Sequence, residues 1–270
     1  MIRRQHWSLP LLGWATLGFL YLPLLAVAVC SVNDSRLLGE WHGFTWQWYE
    51  RLFVDLKDNR VDSTALFAAT RNTIGLAVIS TFISTILGTM LAFGLRGRWP
   101  KPLTAPVMAV VMLPVITPDI ILAAAMVALR QVWSLFDTGF FTMVIGHVTF
   151  QVSFVALVVH ARLSHISAAQ EEAARDLYAS HWGVIMRVML PQVTTAIVAG
   201  AMLAFTLSLD DFVISFFTAS PQSTTLPLLI QASIRRGISP EIHALSTLIL
   251  FATVALVLGV THLTRPRPTE

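Results

Sequence analysis

Six continuously apolar runs restrict the architectures open to this chain more than any other feature of its sequence. A helix needs about 20 apolar residues to cross the bilayer core of about 30 Å. Backbone groups in lipid must be hydrogen-bonded internally, and the runs lack the two-residue alternation of barrel strands, so we expect helices. The sequence therefore predicts an all-α membrane protein with six transmembrane helices. The predicted spans cover residues 9–31, 72–95, 103–128, 140–161, 193–217 and 242–263.

The composition also favours a membrane protein with little soluble material. Charged residues make up 12% of the chain, against roughly 25% in a typical soluble domain, and apolar residues make up 55%. The net charge of +3 is small and scattered, which argues against a nucleic-acid partner. The single cysteine, Cys30, excludes an intrachain disulfide and a CxxC metal or redox site. The lipid bilayer is thus the first partner that the sequence predicts.

Basic residues set the expected orientation of the spans. If the N-terminus is inside, six spans return the C-terminus to the cytoplasm. Arg96, Arg98 and Lys101 then crowd one short inside loop, and short loops dominate the positive-inside rule. We therefore expect both termini in the cytoplasm. The alternative for the first run is a cleaved signal peptide, because residues 26–28 (Ala-Val-Ala) resemble a cleavage site, although the apolar stretch exceeds the usual length of about 7–15 residues.

Aromatic residues concentrate in the loop after the first run. Trp46, Tyr49 and Phe53 recur at helical spacing, which predicts a short helix lying on the outer membrane surface. The rings also suit an ordinary aromatic belt at the membrane interface.

The loop between the fourth and fifth spans, residues 162–192, has the pattern of two short helices exposed to the cytoplasm. Ser167 and Gln170 match a capping box, in which each side chain satisfies a backbone amide at the helix start. A second helical stretch is predicted over residues 180–190, and it ends at Pro191, where the fifth span begins. A helical protrusion of this kind suits docking into a groove of a partner protein. The alternative is a solvated helix that covers the end of the bundle.

The same loop resembles the EAA loop of ABC importer permeases. Glu172-Ala173-Ala174 is followed by Leu190-Pro191 at offsets of 18 and 19 residues from the Glu. The resemblance implies a type I ABC importer permease fold, in which the loop is a coupling helix that docks onto a cytoplasmic ATPase. The coupling residues that it implies are Glu171, Glu172, Ala173, Ala174, Asp176, Leu177 and Tyr178.

One position departs from this family pattern. Gly is usual six residues after the Glu, where this chain has Tyr178. Gly eases a left-handed turn between the two helices, and a non-Gly residue in that conformation costs about 1–2 kcal/mol. The turn is therefore either built differently or somewhat strained.

Two adjacent carboxylates, Asp210 and Asp211, lie inside the fifth span. An Asp at the centre of a membrane helix costs about 2.5–3.5 kcal/mol and usually faces a cavity or the bundle interior. In a continuous helix, Ser208, Asp211 and Ser215 share one polar stripe. Carboxylates near aromatic rings suit an organic cation. The alternative is a structural partner for an arginine on another subunit.

The third span contains a second irregularity, Thr117-Pro118-Asp119. Pro118 lacks an amide donor and clashes with the preceding turn, so we expect the helix to kink or restart there. Thr117 is expected to cap the restart, with Pro118 and Asp119 at the first two helical positions. A broken membrane helix often forms a substrate site, although Asp119 also suits the cap of a buried helix. The residues predicted on the substrate path are Asp119, Asp210, Asp211, Phe212 and Phe217.

Residues 204–211 (AFTLSLDD) resemble the corresponding stretch of polyamine importer permeases of the spermidine/putrescine type. Residues 147–150, 224–227 and 240–245 share the likeness, which extends from about residue 11 to residue 258. It implies putrescine or spermidine transport in a bacterial inner membrane. It also implies a second permease that is a different chain, two copies of an ATPase subunit that bind ATP and Mg²⁺, and a periplasmic substrate-binding protein.

The chain lacks the motifs of a nucleotide-binding or catalytic domain. GxxxxGK[ST], HExxH and GxSxG do not occur, so we expect a non-catalytic transport subunit that binds no cofactor itself. The alternatives are an ABC permease for another small solute and an ion-gradient transporter with the three carboxylates as proton carriers. An ion-gradient transporter needs no long helical loop in the cytoplasm. His147, His160 and His243 lack metal-ligand spacing, and we expect each to be hydrogen-bonded inside the bundle.

Overall fold

A computed structural model describes residues 8–35, 40–53, 63–97, 99–133, 137–234 and 240–263. Its helices confirm the predicted all-α fold class. Within these ranges, five helices are long and apolar enough to cross a membrane, and a bent helix pair makes six if the pair is one span. The helices are α1 (Ser8–Cys30), α2 (Gln47–Phe53), α3 (Ser63–Leu95), α4 (Lys101–Ile116), α5 (Asp119–Val132), α6 (Phe140–Leu163), α7 (Ala168–Asp176), α8 (His181–Val184), α9 (Leu190–Asp210), α10 (Val213–Thr218), α11 (Leu226–Ile234) and α12 (Pro240–Leu263).

The described residues within 1–66 and 230–270 form one compact unit. In it, α1 and the short α2 both pack against α12. Trp48 of α2 is buried, and its indole Nε1 donates a hydrogen bond to the carbonyl of Asn33 at 2.7 Å. Arg51 lies 3.9 Å from the carboxylate of Glu241 on α12. The predicted short helix is therefore present, and polar as well as aromatic contacts fix it in place.

Residues 67–229 form the second unit, which is built around α6. Val155 and Val159 of α6 are fully buried in a cluster with Val193 of α9. A Cβ atom at Gly88 of α3 would lie only 2.7 Å from the Cβ of Val155, and one at Gly200 of α9 would lie 3.3 Å from its Cγ1. Glycine at these two positions thus allows α3 and α9 to approach α6 on both sides of one valine.

We expect Gly88→Ala to lower the melting temperature of the detergent-solubilised protein and Gly94→Ala to maintain or raise it. Both positions lie in α3, where alanine favours the helix by about 1 kcal/mol over glycine. A Cβ atom at position 94 meets nothing within 4 Å, whereas at position 88 it overlaps Val155. Overpacking of this kind costs about 1–3 kcal/mol. Equal melting temperatures in a thermal unfolding assay would contradict this account of the helix packing.

The third predicted span is broken at the expected place. α4 and α5 meet at 98° on either side of Thr117 and Pro118, and α5 continues to Val132. The predicted cap was wrong, because Pro118 is the N-cap of α5 and Asp119 is its first residue. The Thr117 hydroxyl instead donates to the carbonyl of Leu113 at 2.7 Å, within the last turn of α4.

The fifth span was predicted as one helix over residues 193–217, and this was wrong at both ends. α9 ends at Asp210, Asp211 has an extended backbone, and α10 follows from Val213 to Thr218. At the other end, α8, a π-helical turn (Ile185–Met189) and α9 form one helical run that begins at His181. Pro191 does not end this run; it follows the π-helical turn, where the α-helical hydrogen-bond pattern is already interrupted.

Candidate functional site

The segment between α6 and α9 contains two helices, as predicted, but its caps differ from the prediction. The Ser167 side chain makes no capping bond, and only its carbonyl accepts from the amide of Gln170, at 3.2 Å. Both residues are exposed, so water can satisfy the first amides of α7. The side-chain cap occurs one helix later, where Ser180 Oγ accepts from the amide of Gly183 at 3.1 Å. The predicted capping box was therefore wrong.

Tyr178 has the left-handed backbone conformation for which glycine is usual, with φ of 59°. Its amide donates to the carbonyl of Arg175 at 2.8 Å, and the amide of Ala179 donates to that of Ala174 at 3.0 Å. These two bonds form a Schellman motif that ends α7. The Tyr178 side chain is 98% exposed, so contacts with described residues do not offset the strain of about 1–2 kcal/mol.

Four large apolar side chains around this turn are exposed. We call them the loop patch: Leu177, Tyr178, Trp182 and Met186. Ile185, in the same segment, is half-buried and packs with Ala174 and Ala179 against the core of the second unit. Contiguous exposed apolar surface is common at sites that contact other macromolecules.

The two adjacent glutamates of α7 have different surroundings. Glu171 is partly buried, and its Oε1 accepts from Nε of Arg96, just beyond the end of α3, at 2.9 Å. Glu172, Ala173 and Asp176 are exposed. A partner can therefore reach Glu172 and Asp176, whereas Glu171 is engaged within the chain. This ion pair could not be predicted from the sequence, because Arg96 is one of several basic residues near the ends of the spans.

The two helix breaks bring carboxylates together on the second unit. Val213 and Ile214, at the start of α10, pack in one apolar cluster with Leu122 and Ala123, near the start of α5, so the two breaks lie near each other. Asp119 and Asp210 are both exposed, one at each break. Asp210 is also the last residue of α9, where unpaired backbone carbonyls add to the negative potential. Two carboxylates at this surface are chemically suited to a cationic ligand, as the sequence predicts.

Asp211 differs from Asp210 because its side chain is only 7% exposed. Its Oδ2 accepts from the amide and the hydroxyl of Ser215 at 2.9 and 2.8 Å, and it lies 3.2 Å from Nε2 of His147. Nδ1 of His147 is 2.8 Å from the hydroxyl of Ser208. The three residues of the predicted polar stripe therefore meet around His147. They do so across a break in the helix, and the prediction of one continuous helical stripe was wrong.

A chain of buried polar side chains extends from Ser208 into α3 and α6. The Ser208 hydroxyl is 3.4 Å from that of Ser80, to which Nε2 of Gln151 donates at 3.3 Å. Nε2 of Gln151 also donates to the carbonyl of Ala204 at 3.1 Å, and Ser84 donates to its Oε1 at 2.9 Å. A network with its members paired holds helices in one arrangement. It therefore links the break after α9 to the neighbouring spans.

The three membrane histidines do not share one environment. His147 is hydrogen-bonded inside the bundle, as predicted. In the other two, Nδ1 of His160 and Nε2 of His243 are each buried without a hydrogen-bond partner among the described residues.

Aromatic rings lie beside the acidic break. Phe212 is partly buried, and its ring centroid is 5.4 Å from that of Phe216. Phe216 is in turn 5.4 Å from Phe217, in an edge-to-face arrangement. Both Phe216 and Phe217 are exposed. The sequence interpretation missed Phe216, although its spacing of four residues from Phe212 places the two on one face of a helix.

Comparison with known proteins connects these features to transport. A model of the family described as "Binding-protein-dependent transport system inner membrane component" matches residues 64–265. The chain is 34% identical over 247 residues to the spermidine/putrescine transport system permease protein PotC of Escherichia coli K12, covering 91% of this chain and 89% of PotC. It is 37% identical over 258 residues to the putrescine transport system permease protein PotI of the same strain, covering 92% of this chain and 87% of PotI.

Solved structures share the fold at lower identity. A chain of a bacterial ABC transporter involved in import of the acidic polysaccharide alginate superposes with a TM-score of 0.70 at 20% identity, over 97% of this chain and 94% of that chain. A chain of the MetNI methionine ABC transporter superposes with a TM-score of 0.60 at 19% identity, over 73% of this chain and 91% of that chain. The predicted type I ABC importer permease fold is thus confirmed.

Proposed function

This chain belongs to the family of binding-protein-dependent transport system inner membrane components, and from that premise we propose that it carries polyamines into the cytoplasm. In this proposal it is a multi-pass permease subunit of an ATP-driven ABC importer, with putrescine or spermidine as the transported solute. The names of the two Escherichia coli relatives, which match about nine-tenths of the chain, support this solute class. The chain itself is non-catalytic, and a separate ATPase subunit binds ATP and Mg²⁺.

The observation that carries the solute class is the placement of Asp119 and Asp210 at adjacent helix breaks. The ammonium groups of alkyl amines have a pKa of about 10, so polyamines carry more than one positive charge at neutral pH. Each charge needs compensation as the solute leaves water. Two carboxylates and the exposed rings of Phe216 and Phe217 supply part of it. The compensation stays incomplete, because a site that binds too tightly does not release its solute.

The same charges argue against an acidic solute. The alginate transporter shares the fold of this chain and imports an acidic polysaccharide. In the present chain, two exposed carboxylates at the break repel such a solute. Fold likeness therefore gives the transport class, whereas the local charge selects the solute.

The loop patch and α7 form the proposed contact with the ATPase. The patch offers apolar area, and the exposed Glu172 and Asp176 offer charge to a basic groove. The complete importer contains this chain, a second and different permease, two ATPase copies and a periplasmic substrate-binding protein. Both termini and the loop patch lie on the cytoplasmic side.

Reconstitution of the complete importer tests this proposal. We expect proteoliposomes with ATP on the ATPase side and loaded binding protein on the other to take up radiolabelled putrescine and spermidine. Uptake should require ATP and persist when a protonophore dissipates the proton gradient. In an ion-gradient transporter, uptake would not require ATP and would stop when the protonophore is added. ATP-dependent uptake of a competing solute in preference to both polyamines would contradict the proposed solute class.

A further inference from the structure

The guanidinium of Arg96 joins three elements of the second unit. Its Nε donates to Glu171 of α7 at 2.9 Å, and Nη2 donates to the carbonyl of Ile166 at 3.0 Å. Nη1 donates to the carbonyl of Leu163, the last residue of α6. The Leu163 carbonyl also accepts from the amide of Ile166 at 3.1 Å, so Arg96 supplies its second hydrogen bond. Since Arg96 directly follows α3, one side chain connects α3, the end of α6 and α7.

Apart from the contacts of Arg96, α7 packs mainly against α8 and the π-helical turn that lead into α9. All nine residues of α7 are described, and none of them is buried. Ala174 makes its apolar contact with the core cluster around Val155. A pocket of about 580 Å³ beside Arg96 and Glu171 is also lined by Phe93, Gly97, Arg175 and His181. Apolar packing therefore leaves α7 loosely attached to α3.

We propose that Arg96 is the residue that passes movement of α7 to α3 and α6. The inference rests on the proposed function, in which the ATPase moves α7. A planar guanidinium that binds a carboxylate and two carbonyls fixes direction as well as distance, which a single methyl contact does not. Arg96 is thus a positioning residue for coupling. Glu171, which the family resemblance assigned to the ATPase contact, is the partner of Arg96 in this transmission.

Uptake per ATP hydrolysed, measured on reconstituted and assembled importer, tests this role. We expect Arg96→Gln to lower the ratio of putrescine uptake to ATP hydrolysis by about tenfold, which is within the usual range for coupling between sites. Glu171→Gln should lower it similarly, because it removes the other half of the pair. The double variant should be no worse than either single one, as expected for residues that act through one contact.

Arg162→Gln is the matched control. Arg162 is exposed near the end of α6, and its Nε donates to the carbonyl of Gln192 at 3.3 Å, away from Glu171. The Arg162→Gln importer should take up putrescine and hydrolyse ATP at the parental rates. If Arg96→Gln fails to assemble, Glu171→Gln decides, because it leaves Arg96 bound to the two carbonyls.

Three outcomes would overturn the inference. If the assembled Glu171→Gln importer has the same ratio of uptake to ATP hydrolysis as the parent, the ion pair has only a structural role. If Arg162→Gln lowers the ratio of uptake to ATP hydrolysis as much as Arg96→Gln does, the loss comes from removing positive charge at this face and not from breaking the Arg96–Glu171 pair. A parent importer that shows neither polyamine uptake nor ATP hydrolysis stimulated by loaded binding protein defeats the proposed function itself, and that result is recognised before any variant is compared.

Discussion

Glu172→Lys is expected to uncouple ATP hydrolysis from polyamine uptake while the protein still inserts and accumulates in the membrane. Glu172 is exposed on α7, beside the turn that carries the loop patch. If it meets a basic groove of the ATPase, the substitution places like charges in contact, which costs several kcal/mol in an interface. We therefore expect uptake to fall at least about tenfold. The measurement is uptake and substrate-stimulated hydrolysis, together with co-purification of the ATPase.

Glu40→Lys is the control for the reversal of charge. Glu40 is exposed in the loop before α2 and belongs to the other compact unit. The Glu40→Lys importer should take up polyamines at the parental rate. If Glu172→Lys retains parental uptake and parental stimulation of hydrolysis, Glu172 has no role in docking.

Asp210→Asn is expected to lower polyamine uptake about tenfold without a change in assembly or melting temperature. The substitution keeps the shape of the side chain and removes its charge, so it separates electrostatics from packing. The carboxylate is exposed and acts with Asp119 at the break, so its loss removes part of the compensation for the polycation. A tenfold effect corresponds to about 1.4 kcal/mol. The measurement is the concentration dependence of putrescine and spermidine uptake in proteoliposomes.

Asp211→Asn should reduce uptake for a different reason, and it should also lower the melting temperature. The carboxylate accepts from two backbone amides and a hydroxyl in a buried site beside His147. Leaving such partners unsatisfied costs about 1–3 kcal/mol. Parental uptake in both single variants and in the double variant would make the acidic pair structural. The solute assignment would then depend on the relatives alone.

The sequence was sufficient to predict the membrane helices, but it predicted only one of the two breaks in them. Long apolar runs identify spans because hydropathy is a property of the run itself. A break is a property of particular bonds: Pro118 indicates one by its missing amide, whereas the bonds of the Asp211 carboxylate to the amides of Ile214 and Ser215 have no such distinctive local signal. The extended backbone at Asp211 is stabilised by contacts with His147, which lies 64 positions earlier in the chain. Such partners become visible only when the helices are packed.

The same distinction applies to the candidate sites. Motif spacing located α7 and the turn at Tyr178, because coupling loops are continuous in sequence. It could not separate Glu171 from Glu172, since both are acidic neighbours and only the position of Arg96 decides which one faces inward. Nor could it separate Asp210 from Asp211, whose exposures differ because the helix ends between them.

The π-helical turn at Ile185–Met189 sets the direction in which the loop patch points relative to the fifth span. The amide of Leu190 bonds to the carbonyl of Ile185, five residues back, so this turn accommodates one residue more than an α-helical turn. Each residue of an α-helix advances the direction of its side chain by about 100° and the axis by about 1.5 Å. Deleting one residue here would therefore turn Trp182 to another face while the membrane part of α9 keeps its packing. The direction in which this chain presents its docking surface is set separately from the packing that holds its bundle together.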